Sequence, residues 1–320
     1  MRSPRLLAPG LVLMSALAAC SPGEKPVPPS PSASADAAAT PAPGASSSVP
    51  PGTSPEEYRS TLTTALGPVG SSLDAVAGSR SLKSLGKRLE QAESAVGDAA
   101  ERLGGLTPPP EIGAEHSDYV AALRGLGNDL GDARESVDGR RLCTASAVLA
   151  ELGKADGLGA VKSAGGHLAA KGDYPADVVK LKAPKALDRR LANGAFIRSG
   201  SRSGRGQLTV DNGGGQDAVL TLVRGTKKVT SFYVRKGRKA TVNGVPDGTY
   251  KIFFTGGADW DDRARAFTRD CSFKRFEDSL RFRTIRTATL IRWSTWKLTL
   301  QPVVGGNART SEVDPDDFPG

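Results

Sequence analysis

Apolar side chains recur every third or fourth residue in the first half of this chain and every second residue in its last third. One layer cannot satisfy both periods, so the pattern predicts an α+β chain whose helices and strands are segregated along the sequence. Ser54-Pro55-Glu56-Glu57 places an N-cap, a first-turn proline and an N3 glutamate in capping-box register. Behind it, Tyr58, Leu62, Leu66, Val69, Leu73 and Val76 form one helical stripe. A second helix starts near Ser81 with Leu82, Leu85, Leu89, Ala92, Val96, Ala99 and Leu103, and Gly104-Gly105 and Pro108 to Pro110 end it. A third runs from about Glu111 with Ile112, His116, Tyr119, Leu123, Leu126, Leu130, Ala133 and Val137. A fourth carries Leu142, Ala145, Leu149 and Leu152. Narrow stripes joined by short turns predict an N-terminal antiparallel helical bundle over residues 54–195. Gly125, Gly127 and Gly131 each cost about 1 kcal/mol against alanine, so the bundle is expected to be weak alone.

Residues 153–195 are rich in Gly and Ala, and Ala183 to Leu191 reads as one further short helix before a second domain. From Gly206 the apolar positions alternate: Leu208-Val210, Leu220-Leu222, Phe232-Val234, Ala240-Val242, Tyr250-Ile252-Phe254, Leu280-Phe282 and Trp296-Leu298-Leu300. Strands punctuated by Gly, Pro, Asn and Asp predict a C-terminal antiparallel β-sandwich over residues 196–305, followed by an acidic tail over 306–320. The run Val242 to Tyr250, with Pro246-Asp247-Gly248 at its centre, resembles the strand-turn-strand of prealbumin-like modules such as the carboxypeptidase regulatory-like and PEGA families. It covers about ten residues, and Pro-Asp-Gly is good turn chemistry in any fold.

The N-terminus carries a different signal. Arg2 and Arg5 precede an apolar run from Leu6 to Ala19, too short to span a bilayer of roughly 30 Å, which reads as an export signal over 1–19. Leu17-Ala18-Ala19-Cys20 resembles the bacterial lipoprotein lipobox. That resemblance implies lipidation of Cys20, cleavage before it, and a protein held at the extracytoplasmic side of the cell membrane by its lipid. Residues 20–53 are Pro, Ser, Ala, Gly and Thr with almost no large apolar side chain, so they cannot offset their ordering entropy and read as a disordered tether. Such a tether spans on the order of 30 Å as a coil and about 100 Å when extended. Lipobox, tether, helical domain and sandwich together resemble the uncharacterised lipoproteins of actinobacteria, a resemblance that implies a location and no activity.

With the leader and tether removed, about 265 residues remain, enough for two domains. Three cysteines outside the cell leave one spare. If Cys20 carries the lipid, Cys143 and Cys271 remain as a pair in an oxidising compartment, and a disulfide joining the domains is expected. The alternative is two buried free thiols, and a thiol count on denatured protein without reductant separates the two.

Catalytic constellations are sparse. His116 sits in an apolar seam, and His167 has no carboxylate or cysteine at ligand spacing, so neither a metal site nor a cofactor is expected. The glycine-rich motifs that cradle phosphate are missing too. Asp259-Trp260-Asp261-Asp262, read as a loop, and Asp314 to Asp317 offer oxygens without the register of a calcium loop. Asp261 and Glu277 are the one carboxylate pair that a wall-modifying hydrolase could draw on.

The net charge of +9 favours an anionic partner, and an exported address makes nucleic acid the least suitable one. Arg263, Arg265, Arg269, Lys274, Arg275, Arg281, Arg283, Arg286 and Arg292 crowd into thirty residues together with Trp260, Trp293 and Trp296. Arginine forks take phosphate and carboxylate, and flat aromatics stack on sugars. Arg275, Arg281, Arg283, Arg286 and Trp260, expected as the exposed tryptophan, are therefore the binding residues expected here; the competing reading is a solvated face with Trp296 in the core. The chain thus reads as a non-enzymatic, membrane-anchored envelope protein that binds anionic wall polymers or lipid headgroups. A wall hydrolase, or docking of another envelope protein on the bundle, are the alternatives.

Overall fold

Five helices precede twelve strands among the described residues, 52–301 and 308–319 of the computed structural model. The expected leader, Cys20 and most of the tether lie outside them. The described residues belong to one compact unit. Helix α1 (Pro55–Ala77) starts where Ser54 accepts a hydrogen bond from the Glu57 N–H at 3.3 Å, and α2 (Leu82–Gly104) starts at a reciprocal box between Ser81 and Ser84. Helix α1 runs through Pro68, which is exposed, so the carbonyl deprived of its donor faces water. A 3-10 turn (Pro110–Ile112) leads into α3 (Gly113–Asp138), followed by α4 (Ala145–Leu152) and α5 (Asp156–Ala170). The apolar stripes expected on α1 and α3 are buried throughout, and on α2 only Leu82 is partly exposed. Helix α1 packs on α2, α2 on α3, and α3 on α5.

The fourth helix is shorter than its stripe suggested: Leu142 precedes it and forms an isolated bridge with Arg269. Helix α5 was not legible because glycines break its stripe, yet two of them are contact points. A Cβ on Gly157 would stand 2.8 Å from the Leu126 backbone, and one on Gly165 would stand 2.6 Å from the Ala176 carbonyl oxygen. Ala183 to Leu191 is not helical. After α5 the chain runs without regular structure from Asp173 to Ala192, first over the helices and then across the sheet. Tyr174 packs edge-on against Tyr58 at 5.2 Å, and the Tyr119 hydroxyl donates to the Ala176 carbonyl at 2.9 Å. Further on, the Arg189 backbone is bonded to the sheet and not within a helix: its N–H donates to Asp259 at 2.9 Å and its carbonyl accepts the Trp260 N–H at 2.9 Å.

The strands are β1 (Phe196–Arg198), β2 (Gly206–Asn212), β3 (Asp217–Arg224), β4 (Lys227–Val234), β5 (Arg238–Val245), β6 (Gly248–Asp261) and β7 (Ala266–Phe276). They continue with β8 (Leu280–Phe282), β9 (Thr284–Arg286), β10 (Ile291–Trp293), β11 (Thr295–Thr299) and β12 (Thr310–Glu312). A seven-stranded sheet has the order β1-β4-β3-β6-β7-β12, with β8 also on β6, and every neighbour is antiparallel. A three-stranded sheet, β11-β2-β5, contains the one parallel pair, β11 with β2. Leu208, Val210, Ala240, Val242 and Leu298 from the small sheet share a core with Leu220, Leu222, Phe232, Ile252 and Phe254 from the large one. Val245 to Gly248 does not close a hairpin; it carries the chain from one sheet to the other.

The large sheet is covered on its second face as well. Val219, Tyr233, Trp260 and Phe267 form a small cluster under Leu191, Ala195 and Ile197 of the segment before β2. This is why β3 is buried along seven of its eight residues. The expected acidic tail supplies β12, and Phe318 stands edge-on to Phe253 and Phe273.

The helical and stranded parts meet along the turn between α3 and α4. Cys143 N–H donates to the Thr268 carbonyl at 2.8 Å, and Cys271 N–H to the Arg140 carbonyl at 3.1 Å. The expected disulfide, Cys143–Cys271, closes this contact and spans a sequence separation of 128.

Candidate functional site

The basic and aromatic residues of the last third separate into two environments. Between Leu280 and Gln301 there are five basic residues, Arg281, Arg283, Arg286, Arg292 and Lys297, and no acidic one. All five are exposed. Strand β8 buries Leu280 and Phe282 on the sheet and turns Arg281 outward between them, a two-residue period of the ordinary kind. Beyond it, β9 and β10 form a hairpin that pairs with no third strand among the described residues.

The root of this hairpin is firmly tied. Asp247 accepts from the Thr284 N–H and hydroxyl, each at 2.8 Å. The Arg283 N–H donates to the Ser294 hydroxyl at 2.9 Å, and the Ser294 N–H to the Arg283 carbonyl at 3.1 Å. The tip is closed by the Thr287 N–H on the Leu290 carbonyl at 2.9 Å and the Leu290 N–H on the Thr287 hydroxyl at 3.1 Å. Ile285, Leu290 and Trp293 lie 48, 46 and 49 % exposed, unusual for side chains of this size. The Arg205 guanidinium stands 6.0 Å from the Trp293 ring centroid.

Arg281, Arg283 and Arg286 are thus brought together on the hairpin and its root. Arg275 is not: it lies on β7, its Nε donates to the Ser311 hydroxyl, and it pairs with Phe253, four residues along β6 from the Thr249 that faces Arg281. That register separates them by about 13 Å. Trp260 is a correction. It is 2 % exposed, edge-on to Tyr233 and Phe267, and its indole N–H donates to Asp262 at 2.7 Å. Trp296 is not core either; it is 37 % exposed at the margin of the small sheet, with its indole N–H on the Arg281 carbonyl at 3.0 Å.

Trp260 was misplaced because its acidic neighbours read as a loop. They lie in β6 up to Asp261, and each has a partner. Asp259 accepts from the Arg189 N–H at 2.9 Å, its guanidinium at 3.0 Å and the Thr268 hydroxyl at 2.8 Å. Asp261 accepts from Ser146 at 2.7 Å and from the Arg263 and Ala264 N–H groups. Burial alone would raise both carboxyls, but the hydrogen bonds outweigh it and hold both below their ordinary range. A general acid needs the opposite shift. Glu277 follows the far end of β7, eleven residues from the Ala266 that pairs with Asp261, or about 36 Å along the strand. The pair drawn for glycoside hydrolysis is therefore not brought together. A cleft of about 320 Å³ between α3 and the α4–α5 region also holds carboxylates, but Asp129 accepts the Gly157 N–H and Glu151 pairs with Lys154.

His116 is buried, with its Nδ1 2.8 Å from the Tyr58 hydroxyl. Burial pushes its pKa down, and a bond to the Leu103 backbone offsets this only in part. The unfolded imidazole takes up a proton near pH 6.5, more readily than the folded one, so this group costs stability as pH falls below about 6.5. The urea midpoint should therefore drop more between about pH 7.5 and 5.5 in the parent chain than in His116→Gln. Equal drops would assign the slope to other groups.

No protein-family model, curated protein or solved structure matches this chain.

Proposed function

We propose that this chain is a membrane-anchored envelope lipoprotein on the extracytoplasmic side, and that it acts without catalysis as a binding module for an anionic envelope surface. In this reading the helical part is an antiparallel bundle, the stranded part is a sandwich, and the tether lets both reach the surface they bind. The observation that carries it is the acid-free stretch from Leu280 to Gln301, with five exposed basic side chains beside the exposed Trp293. Such a field attracts anionic lipid or wall polymer and does so in a salt-dependent way.

Residues 21–320 keep every described residue and lack both Cys20 and the apolar leader. Sedimented with isolated cell walls or with phosphatidylglycerol vesicles, this protein should bind, and the bound fraction should fall as salt rises. Arg281→Ala with Arg283→Ala should weaken binding about thirtyfold, at about 1 kcal/mol per basic residue near an anionic surface. The backbone bonds of Arg281 and Arg283 survive these substitutions, so folding should be unchanged. Binding to neither surface would overturn the reading.

A further inference from the structure

We propose that the β9–β10 hairpin inserts its tip into the headgroup region of an anionic lipid bilayer, an inference that rests on the binding reading above and names its partner. The cross-strand register carries the argument. Ile291 faces Arg286, Ile285 faces Arg292, and Trp293 faces Thr284, so both isoleucines share their hairpin face with a guanidinium. Neither side of the hairpin is purely apolar. Neither arginine has a carboxylate partner among the described residues, so a dry protein interface would have to bring one carboxylate to each face of the hairpin and still cover the isoleucine beside it.

A bilayer interface takes both kinds of side chain at once. Aliphatic groups enter the acyl boundary and indole sits at headgroup level, while the long arginine stems carry their charge back to the phosphates. A wall polyanion would use the arginines and leave Ile285, Leu290 and Ile291 in water. The chain's own Pro-rich tether, with Glu24 and Asp36 as its only acids, does not complement five basic residues. Length and rigidity agree with insertion. Three strand residues and the turn rise about 10 Å, comparable with the depth at which interfacial elements sit. The tip N–H groups of Thr287 and Leu290 are already bonded, so they enter without an unmet donor.

The test uses residues 21–320 and phosphatidylglycerol vesicles whose acyl chains are brominated, which quench indole fluorescence on contact. Trp293 pairs with Thr284 at the hairpin root, so the tip is reported by an indole placed there: Leu290→Trp should be quenched more strongly than the parent chain. Leu290→Ser with Ile291→Ser should weaken vesicle binding about tenfold without altering its salt dependence. These side chains are exposed, so the variants should unfold at the parent temperature. Binding by Leu290→Trp with no more quenching than in the parent chain, or undiminished binding by the double serine variant, would overturn insertion and leave the anionic-surface reading standing. Binding to walls but not to vesicles would do the same. Binding to neither would remove both.

Discussion

Replacing Cys143 and Cys271 together by alanine should lower the unfolding free energy by about 4–5 kcal/mol. The pair spans a sequence separation of 128, and loop-closure entropy for a ring of that length is worth roughly this much. The effect should also be local in its structure. The loop from Gly139 to Thr144 lies along β7 through Cys143 N–H to Thr268, Asp270 N–H to Arg141, and Cys271 N–H to Arg140. Without the covalent link, these bonds and the Ser146–Asp261 contact are left to hold that seam. Urea unfolding of the parent with and without reductant, beside the double variant, measures it: the reduced parent and the variant should coincide. A loss below about 1 kcal/mol would mean that the unfolded chain is already held together in this region.

Asp217→Ala should cost about 3–5 kcal/mol, the range for breaking one side of a buried ion pair. Asp217 is 6 % exposed and accepts a two-pronged bond from Arg190, both arms at 2.6 Å. It also takes the Tyr233 hydroxyl and the Lys236 N–H at 2.8 Å. One substitution therefore strands three donors, one of them the hydroxyl of a fully buried ring. Arg190→Ala should cost less, because its guanidinium is partly in water and Asp217 keeps its other two donors. The same network sets an acid limit. Burial alone would raise Asp217, but the Arg190, Tyr233 and Lys236 bonds reverse this and hold its pKa at about 2 against an ordinary 3.8. Its contribution, on the order of 2 kcal/mol, is complete above about pH 4 and disappears as pH falls towards 2. Acid titration of Asp217→Ala should lack that component.

The parts of the fold that were legible are those where burial alone chooses the residue. The stripes of α1 to α3 and the alternation of β2 to β6 follow from one apolar face against one core, and they stand where they were read. Helix α5 was hidden because Gly157 and Gly165 are selected by a neighbour's backbone rather than by helix propensity. Strand β7 was hidden because the register slips between Gly256 and Ala258, opposite Asp270 with its left-handed φ of 52°, and the alternation changes phase there. For the site, the arginines of the hairpin could be read because nothing contradicts their charge. Trp260 could not, since Leu191, Ala195 and Ile197, more than sixty residues away, cover it, while Arg189 takes up the Asp259 carboxylate beside it.

The two outermost strands of the large sheet, β1 and β12, are each three residues long. An edge that short offers few free N–H and C=O groups for a neighbouring copy to pair with. In the anchored form proposed here, molecules share a plane and collide far more often than in free solution. The residues read as an acidic tail pair with Lys274 to Phe276 at one end of β7 and set Glu312 beside Lys274, so that end of β7 is already paired and offers little to a neighbouring copy.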